Sequence, residues 1–191
     1  MRLAILDQGH GLTTKAVLSM IRLVSRQPVV DAVKLALYRR DFYGAGDLTH
    51  EAMRGPSAWS IGDRELMAAY VALANESPFC IAAHSATSGV WYGDSAKVAA
   101  ALADLDTAPI TEPLRATLRM LGKLDRENTI GADDIREVLS AGASPGQIED
   151  ALAVGLAFGI TARLANAFDF AIPTQAAMDA GARHLLKRGY R

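Results

Sequence analysis

The stretch Asn75-Glu76-Ser77-Pro78-Phe79-Cys80-Ile81-Ala82-Ala83-His84 holds the only cysteine of the chain, four residues before a histidine. Ser77-Pro78 has the form of a helix start, a hydroxyl N-cap followed by a proline at the first helical position. Cys80 then falls at the third helical position, where unpaired amides and the helix dipole favour a thiolate. On that ground its thiol pKa is expected to be depressed, into the range of roughly 3.5 to 7.5. His84, one turn further on, shares the helix face of Cys80 and can accept its proton or hold its thiolate. Glu65 stands at the start of an otherwise apolar block, with Ala68, Ala69 and Ala72 on the face it shares. A buried glutamate is rare unless paired, so Glu65, His84 and Cys80 converging between consecutive helices would form a proton relay. Each residue also has a plainer reading. Cys80 is then a small core residue, His84 a satisfied core histidine, and Glu65 an early-turn glutamate facing water.

These residues need helices to position them, and the whole chain reads as helical. Apolar-periodic blocks rich in Ala, Leu and Met alternate with breaks built from Pro, Gly, Ser, Thr and Asp, and no run keeps the two-residue period of a strand. Helices are predicted from about Leu12 to Val24 and from Val29 to Arg40, the second stopped by Asp41-Phe42-Tyr43-Gly44. A looser stretch containing Gly55-Pro56 follows. Ser60-Ile61-Gly62-Asp63 has the form of a capping box, and it opens a block that is apolar on every side after Glu65, hence a buried helix. Further helices are predicted from Pro78 to about Ser88-Gly89, Asp94 to Leu105, Thr111 to Leu124 and Asp133 to Ala141. Ser144-Pro145-Gly146-Gln147 opens a long apolar one that runs to about Phe168, and Pro173-Thr174 opens the last.

Composition removes several classes of function. The 191 residues suit one domain with a full hydrophobic core. With 20 Lys and Arg against 21 Asp and Glu, no basic face for nucleic acid is expected. Arg39-Arg40 and Lys187-Arg188 with Arg191 read as solvated helix ends. The longest uncharged stretch, Ala151 to Ala162, falls short of the ~20 residues needed to span a bilayer and reads as a buried helix. The apolar run in MRLAILDQ is too short for a signal-peptide core, so no membrane association and a cytoplasmic location are expected. A single cysteine excludes an internal disulfide and multi-cysteine zinc sites. No metal and no cofactor are expected.

Glu65, Ser77-Pro78-Phe79-Cys80 and His84 resemble, at every spacing, the E-x11-C-x-x-C-x-x-x-H motif of the alkylhydroperoxidase AhpD and carboxymuconolactone decarboxylase superfamily. Arg64-Glu65-Leu66, the segment from Asn75 to His84, Pro113-Leu114-Arg115, the region after Gly142 and Arg163-Leu164-Ala165-Asn166 extend the similarity to its peroxidase-related branch. The resemblance implies an all-α, AhpD-like domain over residues 1–191. Residues 1–58 would be an N-terminal helical extension, 59–170 the core and 171–191 a C-terminal helix. It also implies a catalytic trio of Cys80, His84 and Glu65, and assembly into dimers, trimers or hexamers. Several helices apolar around most of their circumference point to a homo-oligomer as well. One position departs from the motif, since Ser77 stands where the family has its first cysteine. A serine cannot close a disulfide, though it can cap the helix and support a thiolate or sulfenate.

The resemblance therefore implies a thiol peroxidase working on one sulfur. Cys80 would reduce hydrogen peroxide or an organic hydroperoxide, with a Glu65/His84 relay, and an external thiol would regenerate it. Two alternatives stay open at this point: an acid/base lyase of the decarboxylase kind using His84 and Glu65, and a helical ligand-binding oligomer whose active site has decayed.

Overall fold

The computed structural model describes residues 4–40 and 46–190. Among them every regular element is an α-helix: α1 (Ile5–Gln8), α2 (Leu12–Ser25), α3 (Asp31–Tyr38), α4 (Gly46–Arg54), α5 (Ile61–Ala74), α6 (Pro78–Tyr92), α7 (Ser95–Ala103), α8 (Glu112–Glu127), α9 (Ala132–Ser140), α10 (Pro145–Ala167) and α11 (Gln175–Arg188). The expected stop at Asp41-Phe42-Tyr43-Gly44 and the end residue Arg191 lie outside the described residues.

Side-chain caps set where four of these helices begin. Ser60 accepts from the Asp63 amide while the Asp63 carboxylate accepts from the Ser60 amide, and Ser144 and Gln147 repeat the exchange at the start of α10. Asp94 caps α7 and Thr174 caps α11. Ser77 is not among these caps. It occupies the N-cap position of α6, ahead of Pro78, but its hydroxyl makes no capping bond, so the expectation that it caps the helix is not met. α6 also runs three residues beyond its expected end, to a left-handed Gly93 at φ 65°.

α5 is the centre of the bundle, packed chiefly on α6 and also on α10, α8, α4 and α7. Its Leu66, Met67, Ala68, Val71 and Ala72 are fully buried, as a helix apolar on all sides requires. The main core joins Leu66, Met67, Ala68 and Val71 to Leu114, Leu118 and Leu121 of α8 and to Val154 and Phe158 of α10. A smaller cluster gathers Leu6 of α1, Leu35 of α3, Ala72, Phe79 and Cys80, with Ala162, Ala165, Phe168 and Phe170.

Two expectations need correction. The stretch before Gly55-Pro56 contains a nine-residue helix, α4. It buries only Ala52 and Met53, so its apolar signal is too slight for a periodicity argument to detect. α10 is not buried all round, because Leu156 and Ile160 face outward and are about half exposed. α2 buries no residue at all, and Leu12, Leu23 and Val24 are each more than three-quarters exposed. No helix among the described residues is long and apolar enough to cross a membrane.

Candidate active site

The capping box at Ser60 starts α5 so that Glu65 falls in its second turn, past the amides that a glutamate in the first turn would serve. Its side chain is completely buried. A carboxylate there must be paired, and three segments supply the partners. Arg54, the last residue of α4, donates from Nη2 to Oε1 at 2.7 Å. His84 of α6 bonds Oε2 through Nδ1 at 2.8 Å. Tyr190, beyond the end of α11, donates its hydroxyl across both oxygens, at 2.9 and 3.1 Å. Burial alone would raise the Glu65 pKa, but the hydrogen bond and charge of His84, with those of Arg54, outweigh it and hold the carboxyl below its usual range.

Engaging Nδ1 with Glu65 fixes the His84 ring and leaves Nε2 as the nitrogen for proton transfer. The ring is 4% exposed and packs edge-on against Phe158, with centroids 4.3 Å apart. Cys80 lies in the first turn of α6 as the sequence implies, one helical turn before His84, but no hydrogen bond joins the two side chains. Cys80 is 1% exposed. Burial pushes its thiol above the ordinary value, and only an interaction with the Ser77 hydroxyl works the other way. The expected depression of the Cys80 pKa is thus overturned: the helix start is present, but removal of the sulfur from water disfavours the thiolate more strongly. The Ser77 hydroxyl is itself buried and makes no well-formed hydrogen bond. Beside the first turn of α6 a mainly apolar cleft of about 550 Å³ opens between Pro78, Phe79, Ala165, Phe170 and Ile172, with Asn166 and Asp169 also in its lining.

The geometry adds two residues that the sequence reading missed, Arg54 and Tyr190. Neither carries a spacing signal, because their approach to Glu65 is made by tertiary packing across separations of 11 and 125 residues. The one local hint is Gly189, directly before Tyr190, which adopts φ 72°. Among the described residues no group of three or more His, Cys, Asp and Glu side chains could hold a metal ion.

A scan against family models and a search of curated proteins each return no match. Solved structures do match. An uncharacterized peroxidase-related protein from Silicibacter sp. TM1040 superposes with a TM-score of 0.74 at 22% identity, over 89% of this chain and 89% of its own. A second, from Ralstonia eutropha JMP134, described as an alkylhydroperoxidase AhpD core and an uncharacterized peroxidase-related protein, gives 0.71 at 20% identity over 90% of each chain. The chain has the AhpD-like fold. In that fold the junction of α5 and α6, where Glu65 meets His84 one turn from Cys80, lies at the heart of the helical bundle.

Two measurements check the electrostatics. The rate of Cys80 alkylation by iodoacetamide is expected to climb through the alkaline range, with a midpoint above the ~8.5 of a free thiol; a midpoint near neutrality would contradict the burial argument. For Glu65, a carboxyl whose folded pKa is depressed contributes stability that is fully present above its unfolded value, about 4.3, and is lost as pH falls through the folded value. Denaturant midpoints measured from pH 7 down to pH 3 should therefore fall on the acid side in the wild type. Glu65→Gln should be less stable at neutral pH and should show a shallower acid decline.

Proposed function

We propose that the protein is a thiol peroxidase that works through a single sulfur, Cys80. The observation that carries this reading is the 2.8 Å bond between Glu65 and His84, which orients a proton-accepting imidazole one helical turn from the only cysteine. The resting thiol is protonated, because burial disfavours its charge. As peroxide enters, His84 Nε2 takes the thiol proton and Glu65 stabilises the imidazolium that results. The thiolate attacks the terminal peroxide oxygen. A sulfur–oxygen bond forms, the oxygen–oxygen bond breaks, and the leaving alkoxide or hydroxide takes its proton from His84. Cys80 is left as a sulfenic acid, which keeps the hydrogen of the terminal oxygen. With Ser77 in place of a second cysteine, reduction falls to an external thiol. One thiol forms a mixed disulfide and releases the oxygen as water, and a second frees Cys80 and leaves as the small-molecule disulfide. A lone free cysteine suits the cytoplasm, where thiol reductants are abundant.

A second reading, an acid/base lyase using His84 and Glu65 with Cys80 as a bystander, draws support from the raised thiol pKa. Loss of hydrogen peroxide and of an organic hydroperoxide, followed in dithiothreitol, separates the two. Under the peroxidase reading Cys80→Ser abolishes turnover, His84→Ala lowers it by roughly 10²- to 10⁴-fold, and one equivalent of peroxide leaves a sulfenic acid that a sulfenic-acid reagent traps. Turnover that survives in Cys80→Ser would sink the reading.

Self-association belongs to the same proposal. Leu12, Met20, Leu23 and Val24 on α2, and Leu156 and Ile160 on α10, expose apolar side chains of the kind a second copy covers. Light scattering at micromolar concentration is expected to give a multiple of the chain mass, and a monomer would contradict it.

A further inference from the structure

Gly189 and Tyr190 together carry a phenol into the middle of the bundle. Gly189 has φ 72° and ψ −151°, a region essentially reserved for glycine. A Cβ there would lie 2.6 Å from the His50 ring. Beyond this turn the Tyr190 amide donates to His50 Nδ1 at 3.3 Å. The titratable groups facing Tyr190 are Arg54 and His50 from α4, Glu65 from α5 and His84 from α6; α10 contributes the apolar Phe158. The Arg54 guanidinium stands 5.2 Å from the centre of the Tyr190 ring. The His84 ring lies nearly parallel to it, with centroids 6.4 Å apart, and Phe158 meets it edge-on at 6.1 Å.

Within the network each donor has a different duty. Arg54 holds Oε1 and His84 holds Oε2, and because the last torsion of a glutamate is soft, a third donor that spans both oxygens adds to what fixes its rotation. The Tyr190 hydroxyl sits astride both oxygens and 3.5 Å from His84 Nδ1. Burial, and after it the charge of Glu65, hold the phenol proton in place far above its ordinary titration range, so the hydroxyl is a donor at every working pH.

We propose that Tyr190 is a positioning residue: its hydroxyl, astride both oxygens of Glu65, fixes the rotation of the carboxylate that holds His84 Nδ1, so that the proton-transfer pair is complete only when the Gly189–Tyr190 turn is docked. Its consequence for turnover rests on the peroxidase reading; its consequence for Glu65 does not.

Two variants of the full chain test this. Tyr190→Phe keeps the ring and removes one oxygen, and Gly189→Ala obstructs the turn that delivers it. In each, the Glu65 carboxyl is titrated by carbon-13 NMR, its signal assigned by its loss in Glu65→Gln. Turnover of cumene hydroperoxide with dithiothreitol is measured alongside. Removing a donor from the charged carboxylate should move the Glu65 midpoint up in both variants. The kcat should fall on the order of tenfold with KM little changed. A merely structural role would lower the thermal midpoint and leave the Glu65 titration where it was. A folded Tyr190→Phe with unchanged Glu65 midpoint and unchanged kcat overturns the proposal, and should that variant fail to fold, the same two readings on Gly189→Ala decide. If the wild type consumes no peroxide while the Glu65 midpoint still moves, the peroxidase reading falls and the positioning of Glu65 by Tyr190 stands.

Discussion

A carboxylate with no access to water, held in the central helix of a bundle, constrains everything placed around it. Leaving such a charge unpaired costs several kcal/mol, so Glu65 must be met by donors. In this chain they come from three directions: Arg54 at the end of α4, His84 in α6 and Tyr190 after α11. Each partner fixes more than itself. Arg54 reaches over to the Leu185 carbonyl of α11 at 3.2 Å, and His84 and Tyr190 both pack on Phe158 of α10. One buried charge thereby ties together five helices, among them the one that carries the cysteine.

Much of this arrangement was legible in the sequence, for reasons that differ by element. α5, α7, α10 and α11 begin at side-chain caps whose partners lie within three residues, a local chemistry that a short window captures. The pairing of Glu65 with His84 was foreshadowed because a charged residue in an apolar helix demands a partner, and the next helix offered one. What stayed hidden depends on distance along the chain. α4 has too few buried residues to declare itself, and Tyr190 reaches Glu65 across 125 positions. The state of the Cys80 thiol escapes a local reading for a related reason. Its place in the first turn is a local fact, whereas its removal from water by Leu6, Leu35, Phe168 and Phe170 is a tertiary one, and the tertiary effect is the larger.

Ser77 shows how the two scales meet. The motif that the sequence resembles has a cysteine at this position, and here a hydroxyl fills it, too deep for solvent and without a well-formed hydrogen bond. It neither caps α6 nor offers a second sulfur. Its hydroxyl lies near enough to Cys80 to oppose, in part, the effect of burial on the thiol.

The burial of Cys80 also bears on timing. Leu6 and Leu35, from α1 and α3, share its apolar cluster, and the Ala171 amide donates to the Asp31 carboxylate at 2.9 Å, stitching α3 to the chain beyond α10. A sulfur so enclosed meets an outside molecule only during local openings of its surroundings. For the peroxidase proposed above, when oxidant is plentiful and openings are rare, the frequency of those openings becomes the clock, and more oxidant no longer makes it run faster. The enclosure then acts as a governor on the sulfur, admitting a sudden surge at the same measured pace as a steady supply.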